Sequence, residues 1–223
     1  MIPLRDVIPS RTVPYLTVTL IALNIVGWFF ELTLSTRDLA VFLQTFGVVP
    51  AHFQPASLVT SMFLHGSWSH VLGNMLYLWI FGDNVEDRMG HGRFLVFYLL
   101  CGFVAAFGQI AINPDSTLPT IGASGAIAGV MGAYLVLYPR SRVLTLVPLI
   151  IFFEIVELPA VFLLGFWFLM QLFSAGAIAV TANSESGGVA FMAHVAGFVA
   201  GLAGVFVFRK PRRPDAWWID SGR

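Results

Sequence analysis

Apolar residues come along the chain in six runs near 15–34, 67–85, 94–112, 121–139, 158–182 and 188–208, parted by short polar breaks. A helix rises about 1.5 Å per residue and needs about 20 apolar residues to cross a hydrocarbon layer of about 30 Å. Each run is therefore a predicted membrane-spanning helix. From Ser57 to Val85 the apolar stretch is too long for one helix, but Gly66-Ser67-Trp68-Ser69 supplies a break and a cap, so the second span is expected to start at Ser67. Residues 35–66 then read as a long loop whose apolar end, Leu58 to Leu64, dips into the membrane. Val143 to Glu157 is also apolar but contains Pro148, Glu154 and Glu157 and runs into Pro159. A buried charge costs about 2.5–3.5 kcal/mol at the centre of a span. That stretch is therefore expected to be interfacial or re-entrant.

Charge placement chooses the topology. With six spans and a cytoplasmic N-terminus, eleven of the twelve Lys and Arg residues fall on the cytoplasmic side and Arg37 alone lies outside. A seventh span at 143–157 would put the Arg209 to Arg213 cluster outside, so six spans with both termini cytoplasmic are preferred. Composition agrees, because 57% hydrophobic against 11% charged residues leaves too little polar surface to cover a soluble globule. Mean hydropathy is +0.82. The formal charge of zero gives no electrostatic case for nucleic acid. Cys101 is the single cysteine and has no internal partner for a disulfide. The segment Met1 to Asp6 lacks the pattern of a cleaved signal peptide, so the first run is expected to be a permanent span. Residues 1–223 read as one membrane domain with a basic cytoplasmic tail at 209–223.

Within these spans the polar residues gather at one level. Ser124 lies roughly 5 Å below the outer surface, His70 and Asn74 about 5 and 10 Å down, and His194 roughly 9 Å down. Ionisable groups inside spans are rare and functional by default. Small residues at 122, 125, 126, 129, 132 and 133, and at Gly197, Gly201 and Gly204, give two faces on which helix backbones can approach closely. A serine hydroxyl needs a base to become a nucleophile, and a neutral imidazole suits the task. Ser124 with His194 supplies that pair. The Ser124 backbone N–H, His70 and Asn74 are candidate donors to a developing oxyanion. No acid lies near His194 at that level, so a dyad is expected, with His194 oriented by packing. Gly122-Ala-Ser124-Gly125 is not the G-x-S-x-G elbow of an α/β-hydrolase. There is no H-E-x-x-H, and His65 and His70 have the wrong helical phase for zinc ligands, so neither metal nor cofactor is expected.

Four motifs in order resemble the rhomboid intramembrane serine proteases: His65-Gly-Ser-Trp-Ser-His70-Val-Leu-Gly-Asn74, Glu86-Asp-Arg88-Met-Gly90, Gly122-Ala-Ser124-Gly125, and Ala193-His194-Val-Ala-Gly197-Phe-Val-Ala-Gly201. The resemblance covers roughly residues 57–208. It implies an all-α, six-helix rhomboid-like membrane bundle with Ser124 as nucleophile and His194 as general base, and with His70 and Asn74 lining the oxyanion hole. It further implies supporting roles for Gly122, Gly125 and His65, with close packing at Gly197 and Gly201. Glu86 and Arg88 would tie the second and third spans at the cytoplasmic face. The implied partners are the lipid bilayer and the transmembrane segments of membrane-protein substrates, cut near their outer ends. Two departures stand out. Ala128 replaces an aromatic that many members stack on the base, so Phe191 or Met192 is expected to brace His194. The Trp-Arg pair common in the first loop is also absent, and Phe42, Phe46 and Phe53 are expected to anchor that loop.

Span five, rich in Phe and Leu, is the expected lateral gate, with the turn at 183–188 as a lid. The alternative reading is a catalytically inactive relative that binds transmembrane segments for trafficking or quality control. The short chain suits a bacterial plasma membrane.

Overall fold

A computed structural model describes residues 1–149, 152–181 and 190–211. The lid expected at 183–188 and the tail from residue 212 lie outside them. The first apolar run forms helix α1, Tyr15–Glu31. The second forms α4, Trp68–Met89, whose start is set by Ser67, its Oγ accepting the His70 N–H at 3.2 Å. Gly90 alone separates α4 from α5, His91–Ile112. Helix α6, Ser124–Leu137, α7, Ala160–Thr181, and α8, Phe191–Phe208, follow. Helix α5, the Ala160–Ala177 part of α7, and α8 are long and apolar enough to cross a membrane, while α1 and α6 are shorter apolar helices.

The run at 121–139 shortens to 14 helical residues, about 21 Å long and too short to cross the hydrocarbon layer alone. Burial explains the tolerance. Every residue from Gly125 to Tyr134 is buried, so α6 is surrounded by protein and meets little lipid. Phe81, Tyr98 and Phe198 are among the large side chains closing around it.

Two expectations are corrected. Residues 35–66 are not an open loop. They contain α2, Thr36–Phe46, started by Ser35, and a single turn, α3, Ser57–Thr60. Met62 then packs against Gly102 of α5, and Phe63 lays its carbonyl on Gly27 of α1. Phe42 sits against Phe30 and Phe46, and Phe53 against Phe107. The second correction is larger, because the described residues between Val143 and Glu157 form two antiparallel β-strands and not a re-entrant segment. Strands β2, Arg142–Leu149, and β3, Phe152–Pro159, pair antiparallel with Arg142 opposite Pro159. Strand β1, Ile2–Asp6, adds to β2 with Asp6 opposite Val143. The chain is thus mainly helical with a three-stranded sheet in the order β1-β2-β3, rather than all-α. Glu154 and Glu157, read from sequence as misfits in a span, are exposed strand residues, and Glu157 pairs with Arg142 at 3.0 Å.

The sheet follows the C-terminal end of α6, so it lies at the opposite end of that helix from Ser124. Asp6 fastens it there, accepting from the Tyr134 hydroxyl at 2.5 Å and from Asn84 Nδ2 at 3.0 Å. Burial pushes the Asp6 carboxyl up to about 7.

Candidate active site

The turn into α6 depends on Gly122, whose φ of 114° lies in the left-handed region open to glycine. Its N–H donates to the Ser61 carbonyl at 2.8 Å. Two residues later Ser124 opens the helix. A Cβ on Gly122 would stand 2.6 Å from His70 Nε2 and 3.6 Å from Asn74 Nδ2. Those two side chains therefore close over the turn that carries Ser124.

Their positions are set by residues before α4. Glu31, buried at the end of α1, accepts the His65 N–H at 3.1 and 3.2 Å. The buried His65 ring faces Asn74, with Nε2 and Nδ2 3.0 Å apart. An amide nitrogen can only donate, so this contact requires an unprotonated His65 Nε2. The Gly66 N–H points at His70 Nδ1 at 3.5 Å, the long end of hydrogen bonding. A backbone N–H at Nδ1 favours the His70 tautomer whose proton sits on Nε2, the nitrogen beside Gly122.

His194 lies in the first turn of α8 and is buried. Its Nδ1 is 2.7 Å from Gln171 Oε1, and the Trp167 ring lies 5.8 Å away, tilted by 38°. These contacts come from α7, where positions 167 and 171 share a helix face. The brace expected from Phe191 or Met192 is thus supplied by another helix, and orientation is by a hydrogen bond as well as by packing. With the amide oxygen facing it, the contact requires the proton on Nδ1 and leaves the Nε2 lone pair free. These two contacts call for opposite tautomers at the two histidines. His70 offers a donor at Nε2 and His194 an acceptor.

Backbone contact between α6 and α8 puts Ser124 and His194 at one level. A Cβ on Gly197 would fall 2.1 Å from the Gly125 carbonyl oxygen, and one on Gly201 1.9 Å from that of Gly129. Gly125 in turn leaves room for Ala105 of α5, 2.5 Å from where its own Cβ would lie. Ser124, His194, His70, Asn74 and Trp167 all line one cavity of about 820 Å³. Gln109 of α5 lines it too, and its buried Oε1 has no hydrogen-bond partner among the described residues. Sequence reading passed over Gln109, Trp167 and Gln171 because beside His194 it looked for a carboxylate and, failing that, for packing by its own helix. Large uncharged polar side chains in apolar helices carry the same signal. Among the described residues no group of three or more His, Cys, Asp or Glu could hold a metal ion.

The Glu86–Arg88 motif lies away from this cavity. Helix α1 begins after Pro14, whose side chain cannot cap it, and its first donors need a partner. The buried Glu86 carboxylate accepts from Leu16 N at 3.0 Å, Thr17 N at 2.8 Å and Thr17 Oγ1 at 2.7 Å. It also meets His91 Nδ1 at 2.5 Å. Glu86 thus joins α4 to α1 as well as to α5, more than the tie between second and third spans expected. Arg88 takes part through its carbonyl, which accepts the Lys210 N–H at 2.9 Å.

A helical membrane bundle with a serine and two histidines on one cavity is the class that this fold and site define. The Rhomboid domain family model matches residues 52–211, and the chain belongs to the rhomboid family of integral membrane proteins. It is similar to the rhomboid protease GluP of Bacillus subtilis (strain 168), 34% identical over 133 residues, covering 58% of this chain and 26% of that protein. It is also similar to Rhomboid protein 1, mitochondrial, of Saccharomyces cerevisiae, 30% identical over 95 residues, covering 41% of this chain and 28% of that one. The human presenilin-associated rhomboid-like protein, mitochondrial, is 34% identical over 89 residues, with 38% and 23% covered. The chain therefore spans about a quarter of the length of these relatives.

Proposed function

We propose that this rhomboid-family chain is an intramembrane serine endopeptidase that cuts transmembrane segments of other membrane proteins near their outer ends. The carrying observation is the one cavity lined by Ser124, His194, His70 and Asn74, with His194 Nδ1 turned away to Gln171 Oε1 at 2.7 Å. In this reading His194 Nε2 takes the Ser124 proton as Oγ bonds to the scissile carbonyl carbon. The resulting oxyanion is held by the Ser124 N–H, His70 Nε2–H and Asn74 Nδ2, each donor contributing roughly 3–4 kcal/mol. The imidazolium then returns its proton to the leaving amine, and water repeats the sequence on the acyl-enzyme.

The bundle is proposed to cross the membrane six times, with both termini cytoplasmic and residues 57–208 as its core. Helices α4, α6 and α8 then run in one direction, so their N-terminal turns, which carry the site, share the outer side. Helix α7, which exposes Phe162, Phe166 and Phe173, serves as the lateral gate for substrates. The membrane is proposed to be a bacterial plasma membrane.

Purified protein in liposomes with a transmembrane reporter tests the reading. Wild type is expected to cleave, with Ser124→Ala and His194→Ala inactive and a fluorophosphonate probe labelling wild type alone. Cleavage that survives Ser124→Ala, or stable capture of the reporter by wild type without cleavage, would overturn it. Cross-linking α7 to α4 is expected to block cleavage in the bilayer, and unchanged turnover would remove the gate.

A further inference from the structure

His194 has two neutral tautomers, and only one leaves a lone pair on Nε2. The general base therefore depends on whatever holds the proton on Nδ1. In a serine triad a carboxylate does this. The group found beside His194 Nδ1 is instead the uncharged amide of Gln171, with Oε1 at 2.7 Å. It comes from α7, one turn beyond Trp167, whose ring lies against both His194 and Phe198. With Nδ1 occupied on the α7 side, Nε2 is the ring nitrogen left for the cavity that Ser124 lines.

We infer that Gln171 is the positioning residue for His194, its Oε1 accepting the Nδ1 proton so that Nε2 can take the proton of Ser124. The inference rests on the proposed role of His194 as base. In the acyl-transfer step the Ser124 proton moves to Nε2, the Oγ–carbon bond forms, and the carbonyl π pair becomes the oxyanion. Through this step the Nδ1 proton stays where it is, shared with Gln171. Because the amide carries no charge, it orients the ring and adds less stabilisation to the imidazolium than a carboxylate does. An amide turned the other way would donate to Nδ1, move the proton to Nε2 and disable the base. The direction of this one hydrogen bond is thus a readable prediction.

The test uses the full chain in liposomes, comparing wild type, Gln171→Met and Gln171→Glu for reporter turnover and for the ¹⁵N NMR signature of the His194 tautomer. Wild type is expected to show protonated Nδ1 and unprotonated Nε2. Gln171→Met, of similar length but without an acceptor, is expected to lower kcat of order 100-fold, the low end of what a placed general base contributes. KM is expected to stay unchanged while the tautomer signals mix. Gln171→Glu restores an acceptor and most of kcat. A protonated Nε2 in wild type overturns the inference. So does wild-type kcat in Gln171→Met, a loss in Gln171→Glu as large as in Gln171→Met, or an effect confined to KM. Failure of the endopeptidase reading is separate, because it appears as wild type that does not cleave or Ser124→Ala that does. The NMR readout still decides the tautomer in that case.

Discussion

Replacing Gly197 with alanine tests how the separation of Ser124 and His194 is set. The new Cβ would stand 2.1 Å from the Gly125 carbonyl oxygen and 3.0 Å from its carbon, where ordinary contact begins at 3.4 Å. Neither atom belongs to a side chain that can rotate away, so α6 and α8 must part by about 1 Å. Helix α6 cannot retreat freely, because Gly125 is already closed on its other side by Ala105. Overpacking of this kind costs about 1–3 kcal/mol of stability. It also moves His194, one turn away on α8, relative to Ser124, next to Gly125 on α6. A misplacement of about 1 Å between reacting groups lowers rates about 100-fold, or about 2.7 kcal/mol of barrier. The assay is reporter cleavage in liposomes beside thermal unfolding in detergent, with Gly165→Ala as control. Among the described residues nothing lies within 4 Å of the Gly165 Cβ position, so that substitution is expected to leave turnover unchanged and add about 0.5–1 kcal/mol of helix stability. Wild-type turnover and melting in Gly197→Ala would refute the reasoning.

Gly122→Ala combines a strained φ with a Cβ 2.6 Å from His70 Nε2, and is expected to abolish fluorophosphonate labelling of Ser124 while the protein still melts cooperatively. Glu86→Ala removes a buried carboxylate that accepts three hydrogen bonds from the start of α1, and is expected to cost about 3 kcal/mol in thermal or denaturant unfolding without altering cleavage-site choice. Asp6 is held up to about 7 against 3.8 ordinarily, so the folded state binds its proton more tightly than the unfolded state does. Its contribution is complete below about pH 4 and is lost as pH rises towards about 7. Asp6→Asn is expected to flatten the melting temperature across that range, and an unchanged slope would remove this assignment.

Much of the helical framework was legible because a run of twenty apolar residues has few alternatives. The sheet was not. Val143 to Glu157 has the composition of a membrane segment, and its partner strand β1 lies some 140 residues earlier, where Ile2 to Asp6 shows little strand pattern of its own. Once paired, the strands expose Glu154 and Glu157 without any burial of charge. Ser124, His70, Asn74 and His194 could be picked out as polar groups at one level, and the structure brings them to one cavity. Gln171 was missed although it is the one amide in α7, because the search for an orienting group looked for a carboxylate. Glu86 was assigned too few neighbours, since nothing in the sequence of α1 says that a helix starting after Pro14 borrows its cap from seventy residues away.

The glycine contacts also divide the site mechanically. Where a carbonyl rests on an α-carbon there is no rotamer to change, so α6 and α8 act as the fixed jaw of a vice. Helix α7 is the other jaw, holding the imidazole by Nδ1 and by the Trp167 ring and turning Phe162 and Phe173 to the surroundings. With α7 as the proposed gate, a thicker or stiffer bilayer is expected to press on that second jaw. The expected consequence is a change in how often the imidazole is set, while its distance from the serine stays as the two main chains made it.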